Sequence, residues 1–378
     1  MTKHAKLSAS GAHRWAACPG SIRAEESHPN STSKYAMEGT VAHELSELCL
    51  NEGTKPHDMI DKTLPGYDDN PIDSEMADAT QIYIDFVNGL QADTTMVEER
   101  VDFSDWVPEG FGTSDIIAIK GDTLHVADLK YGKGIKVYAE DNPQGMLYAL
   151  GAYALTDMIY DIKTVSITIV QPRLDHIDTW ELSIEKLLSW GNWISERAEL
   201  ALSEDAERSA GEDQCKFCRA KATCPTLKKL TDDVVLQHFD DCDPTNPDKL
   251  TDRQLKEAMD KKKLIVSWLD AVEKLVKDKL DSGEGFTGYK LVAGRNMRSW
   301  TDETDADETL RTLLGDDRYV TKLLTPAAAE KTLGKTKAKG IQTLIATNQG
   351  QPALAPESDK RPAVGITAED FDDESGND

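Results

Sequence analysis

The chain has 378 residues, 39% hydrophobic and 29% charged, a composition typical of a soluble protein with a sizeable core. No stretch of about 18 consecutive apolar residues occurs, so no membrane span is expected, and the N-terminal residues lack the apolar core of a secretory signal. The net charge of -25 disfavours a simple electrostatic grip on nucleic acid, so a nucleic-acid groove must be a local basic strip or use metal ions. We expect a cytoplasmic protein whose six cysteines are ligands or buried thiols rather than disulfides.

Hydrophobic periodicity predicts an α/β fold. Apolar residues recur at helical spacing in four segments, which predicts helices over 34–53, 74–93, 142–158 and 184–204. Residues between these helices alternate or form short β-branched runs, which predicts strands over 96–104, 112–121, 122–132, 164–173 and 177–183. The first three strands are expected to pair as a meander.

The composition changes beyond about residue 240. A long amphipathic pattern predicts a helix or helix pair over 251–284, followed by a hairpin and two short helices. From Gly350 onward, eight acidic residues stand against two basic ones, which predicts a disordered tail. We therefore divide the chain into a domain over 1–240, a mainly helical accessory region over 241–349 and a disordered acidic tail over 350–378.

Two acids and a lysine mark a candidate site on the predicted strands. Asp115 ends the motif G-T-S-D on the second strand, and Asp128 and Lys130 stand two apart on the third. Residues two apart on a strand point to the same face, and meander pairing brings Asp115 opposite Asp128. Two facing carboxylates repel unless a cation lies between them, and Mg²⁺ or Mn²⁺ prefers such oxygen ligands. An isolated D-x-K pattern is also typical of a surface ion pair. The neighbouring motifs therefore decide between a surface ion pair and a metal site.

Three further residues accompany this group. His43 ends the pattern G-x-x-x-H on the first helix, and Gln144 and Tyr148 lie four apart on one face of the helix after the third strand. The order G-x-x-x-H, G-x-x-D, D-x-K, Q-x-x-x-Y resembles the RecB-like branch of the PD-(D/E)XK nuclease superfamily, over about residues 10–230. That resemblance implies a restriction-endonuclease-like mixed central sheet flanked by helices, and it makes the first domain a nuclease domain.

The resemblance also implies roles for these residues. His43, Asp115 and Asp128 would bind the metal, assisted by the carbonyl of Leu129. Lys130 would be the catalytic lysine, and Gln144 and Tyr148 would orient the DNA strand or the scissile phosphate. Acidic residues are found in some relatives at positions corresponding to Glu47, Glu98 and Glu99.

Four cysteines form a second candidate site. Cys215, Cys218 and Cys224 follow the pattern C-x2-C-x5-C, and Cys18 lies far upstream in W-A-A-C-P-G. Three clustered thiolates and a distant fourth can enclose a soft metal centre. A subset of RecB-like nucleases, including AddB-type helicase–nucleases and CRISPR-adaptation exonucleases, carries a structural 4Fe-4S cluster with this layout. The alternative is a structural Zn²⁺ site, which favours two C-x2-C pairs. Cys49 and Cys242 are expected to be plain thiols.

The preferred interpretation is a Mg²⁺- or Mn²⁺-dependent DNA exonuclease of phage or prophage type, acting in DNA processing or recombination. Its partner would be DNA, single-stranded or at duplex ends, with a recombinase, annealing protein or helicase as a further partner and no membrane. The alternative is a catalytically weak DNA- or partner-binding module of a replication or recombination complex. A phage origin would place the protein in the bacterial host cytoplasm. Arg14 is a further candidate for DNA contact, whereas Trp15 is expected in the core.

Overall fold

A computed structural model describes residues 5–28, 34–239, 252–284 and 286–289. Several expectations fall wholly or mostly outside these residues: the hairpin after residue 288, the two short helices, the acidic tail and the thiol of Cys242. They stay predictions.

A five-stranded mixed sheet forms the centre of the described chain, in the order β1-β2-β3-β4-β5. Only β3 and β4 are parallel; every other neighbouring pair is antiparallel. The strands are β1 Thr94–Asp102, β2 Phe111–Lys120, β3 Thr123–Leu129, β4 Thr164–Gln171 and β5 His176–Ser183. The meander predicted for the first three strands is confirmed.

Nine α-helices are found in the described residues. They are α1 Ala12–Ala17, α2 Ser21–Glu26, α3 Lys34–Glu52, α4 Ser74–Gly89, α5 Pro143–Thr156, α6 Ile184–Leu202, α7 Glu212–Lys216, α8 Pro225–Phe239 and α9 Asp252–Asp281. The longer helices begin at polar caps: the side chain of Asp73 accepts from the N–H of Met76 before α4, and that of Asn142 accepts from Gly145 at α5. Pro143 occupies the first turn of α5, where its missing N–H costs no hydrogen bond.

The helices cover both faces of the sheet. One face packs against α1, α5 and α6, with Ile117, Val126 and Ile167 among its buried strand residues. The other packs against α4, with Ile116 and Ala127 buried beneath Tyr83 and Val87 of that helix. Helix α5 connects the parallel strands β3 and β4. It packs on β3, with Met146 and Leu147 in the same core cluster as Val126. The expected α/β class, with a mixed sheet flanked by helices, is confirmed.

The helix or helix pair predicted over 251–284 is one helix, α9, and it packs on the cysteine-rich segment. Leu264 of α9 is buried against Leu227 and Cys215, and Lys263 lies 3.1 Å from Glu212. The start of the predicted accessory region thus contacts the predicted nuclease domain, and the boundary near residue 240 stays a prediction. None of the described helices is long and apolar enough to cross a membrane.

Candidate metal centre

Three carboxylates form a row across the first three strands. The last ladder pair between β2 and β3 is Ile116 with Ala127, which places Asp115 opposite Asp128 one position further along. Between β1 and β2, residues 97 and 99 pair with 116 and 114, which places Glu98 opposite Asp115. The side chain of Asp115 replaces the missing ladder bond, because its Oδ2 accepts from the backbone N–H of Leu129 at 2.7 Å.

Glu98 interrupts the regular ladder of β1. Its φ angle is +49°, in the left-handed region that side chains other than glycine rarely adopt. It is absent from the ladder pairs on either side of it. Backbone conformations of this kind persist where the surrounding structure enforces them, often at functional sites. Here the distorted residue is the one that faces the other two acids.

His43 approaches this row from α3. Its Nδ1 lies 3.4 Å from Asp115 Oδ2 and 3.7 Å from Glu98 Oε1. One ligand atom from each of these three residues lies within 4.8 Å of the other two, close enough to share one metal ion. Burial by itself lowers the pKa of His43, but the charges of Asp115 and Asp128 and the hydrogen bonds to Asp115 and Glu98 outweigh it. They raise that pKa to about 10.

Asp128, Lys130 and Gln144 contact one another on the other side of the row. Gln144 Nε2 donates to Asp128 Oδ1 at 3.0 Å, and Gln144 Oε1 accepts from Lys130 Nζ at 2.9 Å. Lys130 Nζ also lies 2.8 Å from Asp128 Oδ2 in an ion pair. The amide of Gln144 therefore holds the acid and the lysine in one orientation.

The Lys130 ammonium keeps its charge at neutral pH. Burial lowers the pKa of Lys130, but the opposing charge of Asp128 and the contact with it raise the pKa above its ordinary value. Asp128 is 3% exposed, and burial raises the pKa of its carboxyl against the pull of Lys130. The pair thus presents a fixed cation next to the carboxylate row.

Tyr148 lies beneath Gln144 rather than on an open surface. Its ring is buried, and its hydroxyl stands 3.5 Å from Gln144 Nε2. Burial, together with the charge of Asp128, raises the pKa of Tyr148 beyond the physiological range. Gly112 of the G-T-S-D motif makes room for the ring, because a Cβ at residue 112 would stand 2.8 Å from Tyr148 Cε1.

The segment that joins Lys130 to α5 is held by the ends of β4 and β5. Gln171 is buried; its Oε1 accepts from the N–H of Val137 at 2.7 Å and its Nε2 donates to the carbonyl of Ile135 at 3.0 Å. Asp178 Oδ2 accepts from the N–H of Ala139 at 2.7 Å. These bonds fix the path of the chain between the lysine and Gln144.

The donor set of the centre fits a divalent cation. One imidazole nitrogen and several carboxylate oxygens converge, the ligand types that suit Mn²⁺ and, through oxygen, Mg²⁺. Asp128 Oδ2 is buried, and the ammonium of Lys130 lies 2.8 Å from it. His43, Glu98 and Asp115 are close enough together to hold the ion, and the role of Asp128 as a further ligand stays a prediction.

The four cysteines of the second candidate site come together from the two ends of the first domain. Cys18 follows α1, and its Sγ accepts from the backbone N–H of Ser209 at 3.2 Å. Burial raises the pKa of Cys18 and of Cys215, with the neighbouring Cys224 thiol adding to it. Burial also raises the pKa of Cys218, to about 11. In the part of the chain that the structure describes, no three cysteine sulfurs lie within 4.8 Å of one another.

Backbone contacts support the same junction. The N–H of Gly20 donates to the carbonyl of Glu207 at 2.8 Å, and Arg197 Nε donates to the carbonyl of Ala16 at 2.6 Å. Glycine is needed at residue 20, because a Cβ there would stand 2.6 Å from the carbonyl oxygen of Ala206. The chain after α6 therefore packs directly on the loop that carries Cys18.

A family model, described as "Protein of unknown function (DUF2800)", matches residues 4–362. The chain belongs to the DUF2800 family. A solved structure described as "Crystal structure of SSO0001" is similar with 13% sequence identity and a TM-score of 0.29, covering 60% of this chain and 89% of that chain. A similarity this weak carries no argument about the fold or the function of the DUF2800 chain.

The structure of this DUF2800 chain brings most of the predicted site residues together. His43, Asp115, Asp128, Lys130, Gln144 and Tyr148 are linked by the contacts above. Leu129 reaches the centre through its N–H, and the metal-binding role of its carbonyl stays a prediction. Cys49 is buried, as expected for a plain thiol, and Trp15 is 1% exposed, as expected for the core.

Glu98 is the residue that sequence reasoning undervalued. The sequence offers Glu98 and Glu99 equally, whereas the structure places Glu98 beside His43 and pairs Glu99 with Ser114 in the ladder. A two-residue alternation on β1 could have selected Glu98, had the register with Asp115 been known. Glu47 lies one turn after His43, and burial and the charges of Glu98 and Glu44 raise its pKa.

Proposed function

We propose that this protein is a Mg²⁺- or Mn²⁺-dependent deoxyribonuclease, an exonuclease that hydrolyses phosphodiester bonds in DNA processing or recombination. The observation that carries the proposal is the row formed by Glu98, Asp115 and Asp128, with His43 at one side and Lys130 at the other. Neighbouring carboxylates, of which Asp128 is buried and the other two are partly buried, repel one another without a cation, and a fixed lysine beside them is suited to an anionic substrate.

The residues divide into metal-binding and substrate-facing groups. When bound, the metal would polarise a phosphodiester and lower the pKa of an attacking water. His43, Glu98, Asp115 and Asp128 would hold the metal. Lys130, charged and fixed by Gln144, would stabilise negative charge that develops on the phosphate. With its raised pKa, Lys130 is a cation at neutral pH and not a proton acceptor.

The test of cleavage uses linear single-stranded and duplex DNA, end-labelled, with Mn²⁺ or Mg²⁺. We expect metal-dependent degradation, and a loss of about 100-fold or more in Lys130→Ala and Asp115→Ala. Asp122→Ala is the matched control, because Asp122 lies in the turn between β2 and β3 and is largely exposed. Full activity in the Lys130 and Asp115 variants would overturn the proposal.

We further propose a structural 4Fe-4S cluster bound by Cys18, Cys215, Cys218 and Cys224. The pattern C-x2-C-x5-C with a distant fourth cysteine favours this cluster over a zinc site, which more often uses two C-x2-C pairs. Protein purified without oxygen should be brown and absorb broadly near ~400 nm. If the purified protein is colourless and contains one zinc ion per chain, the four cysteines form a zinc site instead of an iron–sulfur cluster.

A second candidate function is that of a DNA- or partner-binding module with little or no cleavage. The contacts of Asp128 with Gln144 and Lys130 favour it, since they neutralise this carboxylate without a metal. Calorimetric titration separates the two: the module predicts no Mn²⁺ binding that depends on Asp115, whereas the nuclease requires it.

The biological setting is proposed from the resemblance alone. A stand-alone nuclease of this type fits a phage or prophage, acting on DNA in the bacterial cytoplasm. A recombinase, annealing protein or helicase would be its protein partner. Co-purification from infected cells would test that partnership.

A further inference from the structure

A basic pocket lies beside the cysteines, apart from the candidate metal centre. It has a volume of about 850 Å³, within the range of ligand-binding cavities. Six cationic side chains line it, against two acidic ones, Glu25 and Glu26. The cations are Lys6, Arg14, Lys216, Arg219, Lys221 and Lys274. In a chain of net charge -25, this local excess of positive charge is a candidate anion site.

The two acids of the pocket are already paired. Glu25 is 3% exposed; its Oε2 lies 2.9 Å from Arg14 Nη2, and its Oε1 accepts from the backbone N–H of Arg219 at 2.8 Å. Glu26 Oε1 lies 3.0 Å from Lys6 Nζ. The two carboxylates are therefore neutralised by Lys6, Arg14 and Arg219, and they do not offset the charges of the other lysines in the pocket.

Lys216 and Lys274 are the cations available to a ligand. Neither forms an ion pair with any acid in the described residues. Lys221 differs, since its Nζ donates to the Ser267 hydroxyl and to the carbonyl of Lys216 at 3.1 Å each, which fixes α9 against the wall of the pocket. Two lysines from different elements, the end of α7 and α9, thus flank one opening.

An aromatic ring stands among these cations. Phe217 lines the pocket, yet it is 62% exposed, and Lys216 Nζ lies 5.4 Å from its ring centroid. An exposed phenylalanine in the same pocket as Lys216 and Lys274 provides a face for a base together with charges for phosphates, the combination that binds single-stranded nucleic acid. Of the four candidate cluster cysteines, only Cys218 lines this pocket, so its volume is not the space of the cluster.

We propose that this pocket binds a segment of single-stranded nucleic acid, with a base on Phe217 and its phosphates at Lys216 and Lys274. It rests on the proposed function only for the class of ligand, and it requires no cleavage. A strand held here would lie beside the loop that carries Cys18, because the pocket is lined by Arg14 of α1 and Ile22 of α2, the helices on either side of that loop. The proposed cluster would then support the wall of a strand-binding site.

The test measures binding of a fluorescently labelled oligothymidylate by anisotropy in EDTA, so that no metal-dependent cleavage occurs. We expect Lys216→Gln with Lys274→Gln, and separately Phe217→Ala, to weaken binding about tenfold. Removing two phosphate contacts should also make the salt dependence shallower by about 1.4 in log–log slope. Lys277→Gln is the matched control, an α9 lysine that pairs with Glu273 at 2.6 Å and lies outside the pocket.

Each outcome decides the proposal. Parental protein that fails to bind the oligonucleotide at low salt, or pocket variants that bind as the control does, would overturn it. If inorganic phosphate displaces the oligonucleotide at the same concentration of phosphate groups, the pocket is a site for small anions rather than for a strand. An Asp115→Ala variant separates this proposal from the nuclease, because it should lose cleavage and keep binding. Binding without cleavage in the parent would remove the nuclease proposal alone.

Discussion

Gly112 and Tyr148 meet so closely that a single methyl group at residue 112 would stand 2.8 Å from the tyrosine ring. The glycine lies on β2 and the tyrosine on α5, so this contact sets how near the helix approaches the carboxylate row. Gln144 lies one turn before Tyr148 on α5, and its contacts with Asp128 and Lys130 depend on that approach.

Gly112→Ala should lower the free energy of unfolding by about 1–3 kcal/mol, because the added methyl overpacks a buried ring. DNA cleavage should fall as well, since the ring moves Gln144. Urea unfolding followed by circular dichroism measures the first effect. Gly132→Ala is the control, because no atom lies within 4 Å of a Cβ there. Equal stability of the two variants would show that the Tyr148 ring moves aside at no cost in free energy, against the prediction.

Glu98→Gly should be more stable than Glu98→Ala by about 1 kcal/mol, because only glycine adopts a positive φ without strain. Both variants should bind Mn²⁺ more weakly, because both remove the same carboxylate. Thermal unfolding and calorimetric titration measure the two effects. At Glu99, which has an ordinary strand conformation, the order should reverse, with glycine less stable than alanine. The same order at both positions would contradict the assigned backbone.

Without divalent metal, stability should decline as pH rises from about 6.5 towards 10 through His43. Its folded pKa is about 10, whereas the unfolded value is about 6.5. A group with a raised folded pKa stabilises the fold fully below its unfolded pKa, and that contribution is lost as pH rises through its folded pKa. Urea unfolding in EDTA across this range compares the parent with His43→Gln. A stability difference that does not change with pH would show that His43 is neutral in the folded chain.

Gln171→Leu should lower the free energy of unfolding by about 1–3 kcal/mol, because the backbone groups of Ile135 and Val137 lose a partner that holds them in a partly buried place. Amide exchange at Val137 should become faster. Gln81→Leu is the control, since the Gln81 amide bonds to Asp85 on an exposed helix surface, and it should change stability by less than about 0.5 kcal/mol. Unchanged exchange at Val137 would show that other contacts hold the segment.

The period of the sequence predicted the five strands and the longer helices α3, α4, α5, α6 and α9, of which β5 and α6 each have one buried face. It did not predict α1, α2, α7 and α8, of which α1, α2 and α7 are too short for a period to be read. The predicted strand over 122–132 put Asp128 and Lys130 on one face; β3 ends at Leu129, one residue before Lys130, yet the two side chains do meet. The choice between Glu98 and Glu99 was not predictable, since a shift of one residue in register reverses the faces. The left-handed backbone of Glu98 has no sequence signal, because glutamate rarely adopts it.

Contacts between distant segments were also beyond the reach of local patterns. The burial of Tyr148 depends on the absence of a side chain at Gly112, a relation between a helix and a strand that periodicity does not contain. The pocket beside Cys218 is built from α1, α2, α7 and α9, and its charge excess appears only when these elements meet. The sequence alone shows an acidic chain with scattered lysines.

The junction between the Cys18 loop and the chain after α6 also dictates when the protein can finish folding. Ser209 and Arg219 stand 191 and 194 residues after their partners Cys18 and Glu25. At a synthesis rate of about 5–20 residues per second, the ribosome needs about 10–40 seconds to supply them. Throughout that time the carboxylate of Glu25 has Arg14 as a partner but lacks the N–H of Arg219. Cys18 likewise lacks its contact with Ser209. The helices next to Cys18 and Glu25 therefore gain these contacts only long after they are made.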